Sequence, residues 1–270
     1  MATIEAKLGF LGAGNMGMAI IAGLVSTGAA EPGHIHVFDP EPAKQDAVKA
    51  LGCKAAATSV ELAAGCDILV LAVKPQNMSE ALEPLKATLS SEALVVSIMA
   101  GISIDCLQNE LGAQMRVVRC MPNLPALSGA GAAGVALSVN CTDADKGVAA
   151  AIFEAVGVVE FVPETALDTV TALSGSGPAY FFYLTECMAK AAVAQGLPES
   201  QALNLAAQTL IGAGALLRDS GESASTLRQR VTSKGGTTAA ALSAFEAEGF
   251  ERLVQAGMDA AAARSRELGR

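Results

Sequence analysis

Residues 8–25 read LGFLGAGNMGMAIIAGLV, and the order of apolar residues and glycines in this stretch decides the fold. A short apolar run, Leu8 to Leu11, leads into Gly12-x-Gly14-x-x-Gly17 and then into apolar residues at helical spacing. That succession predicts strand, tight turn, helix. The stretch carries no charge and approaches the length of a membrane span, but Gly9, Gly12, Gly14, Asn15, Gly17 and Gly23 interrupt it, so a buried strand-turn-helix accounts for it better. In that context Gly12 allows the sharp turn, Gly14 lets a pyrophosphate approach the backbone, and Gly17 lets the helix pack closely on its strand. The helix N-terminus then faces the phosphates.

The residues downstream repeat the pattern. A second strand, HIHVFD, ends in Asp39, about 20 residues past the glycines, where a carboxylate can accept hydrogen bonds from an adenine ribose. A 2'-phosphate there would meet like charge with no nearby Arg, so Asp39 favours NAD over NADP, and Lys44 is the cation able to offset part of this. His34 and His36 flank the start of this strand, far from other reactive groups, and read as structural. A helix over EPAKQDAVKAL and a short strand near CKAAA precede DILVLAV, a continuous apolar run expected of a strand buried on both faces. That run closes on Lys74 and Pro75 at the carboxyl edge of the sheet, where ligands lie in open parallel sheets. LVVSIMAGIS reads as another buried strand followed by Ala100 and Gly101, small enough for a flat ring to approach. RVVRCMPNLP is a further strand, and the glycine-rich SGAGAAGVALSV follows it.

After GVVEFVPE the strand signals stop, and a domain boundary is expected near Pro163. Long helices are expected from about Ser176 to Gly196, Pro198 to Asp219, and Thr237 to the end, with Ser174 and Ser176 as potential caps and Pro178 in a first turn. These helices are apolar over more of their circumference than one layer hides, which calls for a partner subunit; a compact monomeric cap is the alternative. Between them lies VTSKGGTTAAAL, Val231 to Leu242, with hydroxyls, glycines and a lysine ahead of a run of helix formers. Lacking Cys, His, Asp and Glu, it is suited to binding an anion at a helix start and performs little chemistry alone.

Composition narrows the partners. The net charge of -9 and the lack of Lys/Arg runs argue against nucleic acid and anionic membranes, and favour small molecules. The six cysteines are scattered, without metal-ligand spacing or a disulfide framework, which fits reduced thiols in the cytoplasm and no metal. Glu5 sits where a secretory signal needs positive charge, so no targeting segment is assigned.

Across nearly its whole length the chain resembles the pyrroline-5-carboxylate reductase family. The resemblance rests on GAGNMG, AVKP, RCMPN with Pro125, and ALSGSGPAYF followed by LRQRVTSKGGTT. It implies an α/β fold: a Rossmann domain over residues 1–163 holding NADPH or NADH, then an all-helical dimerisation and substrate-binding domain over residues 164–270. It implies a homodimer that assembles into a larger ring such as a decamer. The family's cofactor loop maps onto Leu11, Gly12, Ala13, Gly14, Asn15, Met16 and Gly17, its ribose region onto Phe38, Asp39 and Pro40, and an adenosine contact onto Ser59. Ala72, Val73, Lys74 and Pro75, with Ala100 and Gly101, would line the nicotinamide side. The substrate loop falls on Ser233, Gly235, Gly236, Thr237 and Thr238, with Glu164 near the substrate and Thr238 on the ring nitrogen of 1-pyrroline-5-carboxylate. Lys234 stands where the family commonly has proline, Leu124 where it has threonine, Met99 where it has a smaller residue, and Asp39 where NADPH-preferring members often have a small hydroxyl residue.

Two other readings compete. A beta-hydroxyacid dehydrogenase shares the domain plan, but its proton-transfer lysine is expected where Phe181 and Phe182 stand, and Lys190 comes too late. A non-catalytic NAD(P)-binding protein would not need GGTT and SGSGPAY intact.

Overall fold

The computed structural model describes residues 3–269. Packing divides the chain into two units, one running to Ser176 and taking in the last turns from Ala261, the other comprising Gly177–Ala260.

The first unit is built on alternating strands and helices. β1 (Leu8–Leu11) turns through the glycines into α1 (Asn15–Thr27), followed by β2 (Ile35–Phe38), α2 (Pro42–Ala50), the two-residue β3 (Lys54–Ala55) and α3 (Ser59–Gly65). β4 (Ile68–Leu71), the short α4 (Met78–Leu82), β5 (Leu94–Ser97), α5 (Ile104–Leu111) and β6 (Arg116–Met121) continue the alternation. β7 (Gly131–Leu137), α6 (Asp143–Glu154), β8 (Gly157–Phe161) and the single-turn α7 (Leu167–Val170) complete it. The strands form one sheet in the order β3-β2-β1-β4-β5-β6-β7-β8, parallel throughout except for β6 against β7. Successive side chains along a strand leave by opposite faces, and β4 shows the result: Ile68 and Val70 pack with Phe10, Ile20 and Ile35, while Leu69 and Leu71 pack with Leu62, Leu82 and Val95. Burial on both faces explains why these strands are uniformly apolar. β1 lies between β2 and β4, so the chain reverses direction across the sheet there, opening a crevice at the strands' carboxyl ends.

The sequence of β7 reads only as a glycine-rich stretch, because its glycines and alanines carry no apolar alternation. Its small residues are there for packing: a Cβ on Gly134 would lie 3.0 Å or less from the Val170 methyls. Ser174 does not cap the next helix as expected. Its hydroxyl donates back to the Val170 carbonyl within a π-type turn over Thr171–Gly175, and its own carbonyl accepts from Asn123 Nδ2.

The second unit is helical: α8 (Gly177–Ala194), α9 (Glu199–Ser220), α10 (Ala224–Arg230), α11 (Thr237–Ala247) and α12, Phe250–Leu268, whose last turns belong to the first unit. The single helix expected from Thr237 onward is broken. Gly249 takes φ +75°, a conformation that ends α11, and the Phe245 and Phe250 rings stack across the break with centroids 5.8 Å apart. α10 is not among the helices the sequence predicts; Ser223 caps it, its hydroxyl accepting from Thr226 N–H. No helix among the described residues is long and apolar enough to cross a membrane.

Candidate active site

The glycine turn is held from both sides. Gly12 N–H donates to the Phe38 carbonyl, and Ala72 N–H donates to the Leu11 carbonyl, so the turn is tied to the ends of β2 and β4. Gly12 has φ +101°, and a Cβ there would lie 2.7 Å from the Ala72 carbonyl oxygen. At Gly17 a Cβ would lie 2.9 Å from the Gly12 carbonyl oxygen. Gly14 differs: its backbone is extended and an added Cβ would meet no protein atom within 4 Å. Nothing in the fold requires glycine at position 14. Beyond it opens a cleft of about 450 Å³ lined by Leu11, Gly12, Gly14, Phe38, Asp39, Pro40, Ser59, Ala72, Val73 and Lys74. Ala13 is buried beneath the turn, and Asn15, exposed, and Met16, half-buried, begin α1. Pro75 starts the turn that carries Lys74 out to solvent.

Asp39 does more than face this cleft. Its side chain is buried, with Oδ2 accepting from Ala13 N–H at 2.8 Å and Oδ1 from Glu41 N–H at 3.0 Å. It thus fastens the glycine turn to the end of β2. Lys44 Nζ lies 2.7 Å from Glu41 and 3.6 Å from Asp39, and the Glu41 hydrogen bond raises its ammonium above the ordinary lysine value.

Of the other pair expected on the nicotinamide side, Ala100 is exposed and Gly101 is buried, at φ +80°, under the end of α12: a Cβ on Gly101 would lie 3.0 Å from the Leu268 carbonyl oxygen. The small residue at 101 therefore admits a neighbouring backbone. Glu164 Oε1 accepts from Ile104 N–H at 2.8 Å and from Arg119 Nη1 at 2.9 Å, so its carboxylate closes the start of α5. Arg119, read in the sequence only as part of a strand, is the partner that orients it.

The Ser-Lys-Gly-Gly-Thr-Thr segment forms a turn in the helical unit. Gly235 takes φ +72°, Gly236 N–H donates to the Ser233 carbonyl, and Gly236 is the N-cap of α11. No side chain caps this helix start, so the amides at Thr237 and Thr238 are left to a ligand or water. Ser233, Lys234, Gly235 and Thr237 are exposed and Thr238 is half-buried.

Residues 164–268 match the family description "Pyrroline-5-carboxylate reductase dimerisation". A pyrroline-5-carboxylate reductase of Methanosarcina acetivorans is 40% identical over 265 residues, 98% of each chain. The chain belongs to the pyrroline-5-carboxylate reductase family. Residues 7–101 match the description "NADP oxidoreductase coenzyme F420-dependent". The solved structure of the Coxiella burnetii reductase superposes with a TM-score of 0.95 at 35% identity, covering 99% of this chain and 100% of that one. The Plasmodium falciparum pyrroline carboxylate reductase, solved with NADP bound, superposes with a TM-score of 0.86 at 30% identity, each chain covered in full. Members of this family are NAD(P)H-dependent oxidoreductases, and residues 164–268 match its dimerisation domain.

Proposed function

We propose that this chain reduces the C=N bond of 1-pyrroline-5-carboxylate with NADPH or NADH to give L-proline. The observation that carries this is an uncapped Gly-Gly-Thr-Thr helix start, in a chain that also holds a dinucleotide cleft and aligns end to end with reductases of that name.

Leu11 to Gly17, with Phe38 to Pro40 and Ser59, hold the nucleotide, and Ala72 to Pro75 with Ala100 and Gly101 serve the nicotinamide end. When bound, the reduced nicotinamide supplies a hydride to the imine carbon. Everything else is positioning. The substrate carboxylate meets the amides at Thr237 and Thr238 with the Ser233 hydroxyl, Gly236 N–H being held by the Ser233 carbonyl; the helix dipole adds roughly 0.3–1 kcal/mol. Thr238 hydrogen-bonds the ring nitrogen. The π electron pair of the C=N bond ends on nitrogen, which is already protonated in the iminium and becomes the secondary amine of the ring. The loop's lack of His or carboxylate is then no handicap. Glu164, held by Arg119 and Ile104 N–H, is assigned to the substrate side as an orienting carboxylate. Pro163 is taken as the functional boundary. The same reading includes a cytoplasmic enzyme and a dimer that assembles further, with a decamer as the ring to look for by sedimentation.

Purified protein given pyrroline-5-carboxylate should oxidise NADH or NADPH. Thr238→Ala should lower kcat/KM by roughly 10- to 100-fold while coenzyme affinity holds. Unchanged turnover in that variant removes Thr238 from the mechanism; no oxidation with either coenzyme removes the reductase.

A further inference from the structure

Charge at the adenosine end of the cleft is arranged against a 2'-phosphate. The charged residues lining the cleft are the carboxylates Asp39, Glu41 and Glu80 and the ammonium groups Lys44 and Lys74, an excess of one negative charge. Lys44 is the cation beside Asp39, and it is already engaged by Glu41 and Asp39. No arginine lies between Asp39 and Ala50, and Lys49 pairs with Asp46. At the start of α2, Ala43 N–H alone among the first-turn amides is left for an anion. Pro42 has no N–H, Glu41 N–H is taken by Asp39, and the N–H groups of Lys44 and Gln45 both close on the Glu41 carbonyl.

We propose that this chain selects NADH over NADPH, because Asp39 and Glu41 together occupy the cation beside them and most of the first-turn amides of α2 that a 2'-phosphate would use. This rests on the reductase reading and deepens it. Asp39 is a positioning group as well as a charge: it holds Ala13 N–H, so its removal loosens the glycine turn for either coenzyme. Glu41 is the cleaner selector, since its side chain is 65% exposed and fastens Lys44 without supporting the turn. The selection runs opposite to the NADP in the name of the matched nucleotide-binding family and in the Plasmodium falciparum structure.

The test is equilibrium binding of NADH and NADPH, followed by calorimetry at low and high salt, alongside turnover. The wild-type chain should bind NADH roughly tenfold or more tightly than NADPH at low salt, with the gap narrowing as salt screens the charges. Glu41→Gln should tighten NADPH about three- to tenfold and leave NADH within about twofold. Lys44→Met in the Glu41→Gln background should abolish that gain. Tighter NADPH binding by the wild type, or an equal response of both coenzymes to Glu41→Gln, overturns the proposal. NADH selectivity without turnover of pyrroline-5-carboxylate overturns the reductase reading and leaves this one standing.

Discussion

The two units satisfy their apolar residues in different ways. In the nucleotide unit two large clusters fill the two faces of the sheet, and Phe10, Phe153, Leu69 and Leu71 are wholly buried. In the helical unit the buried cluster consists of Ala189, Ala202 and Ala206, while Phe182, Tyr183, Leu205, Ile211 and Leu253 lie open. Each exposed large apolar side chain forgoes about 1.5–3 kcal/mol that burial would contribute. The nucleotide unit is complete as one chain, whereas the helical unit is completed by assembly, in keeping with its match to a dimerisation family.

The largest expected effect tests the incomplete unit. Phe182→Asp with Ile211→Asp should abolish assembly and activity, since a two-fold interface receives every buried charge twice; sedimentation velocity reads the first and turnover the second. A dimer that survives with full activity would show those faces to be surface. Next come the glycines of the complete unit. Gly12→Val meets the Ala72 carbonyl and a forbidden φ, so thermal unfolding should show a loss on the order of 2–4 kcal/mol. Gly14→Val, with free space around its Cβ, should leave the unfolding temperature nearly unchanged and weaken NADH binding by roughly tenfold or more. Equal destabilisation by the two substitutions would erase the distinction between a glycine the fold needs and one the ligand needs.

Thiol chemistry sharpens the same contrast. Burial pushes the Cys66 thiol up to about 11 and Cys120 well above its ordinary value, while Cys187 on α8 is exposed. Iodoacetamide at pH 8, followed by peptide mass spectrometry, should spare Cys66 and Cys120 in the folded protein and label both after denaturation. The smallest effect is a pH response from His36 on β2. Burial first, then Lys54 and Lys7, lower its pKa below the ordinary 6.5. The unfolded chain therefore binds the proton more readily, so this contribution to stability is present above pH 6.5 and is lost as pH falls toward the folded value. His36→Gln should flatten the unfolding midpoint slightly over that window.

Much of the nucleotide unit was legible because buried parallel strands are short apolar runs punctuated by Gly, Pro and Asp. β4 and the Gly12 turn show this directly. β7 was not legible, since a strand rich in Gly and Ala has no clear alternation to detect, and its place comes from pairing with β6 and β8. The helix break at Gly249 was hidden because a lone glycine is tolerated inside many helices; its positive φ belongs to the folded backbone. At the candidate site the residue types could be named, but their partners could not. Asp39 meets Ala13 across 26 residues, and Glu164 meets Arg119 across 45.

The sequence alone determined the alternating first half, the helical second half, the glycine turn after β1 and the Gly-Gly-Thr-Thr helix start, because each is written in local spacing. Only the tertiary structure decided that Gly12 is demanded by the Ala72 carbonyl while Gly14 is not, and that Lys44 is already engaged by Glu41 and Asp39. The reason is physical: local spacing sets which backbone conformations are favourable, whereas hydrogen-bond occupancy and free space depend on atoms that the chain brings together from far apart.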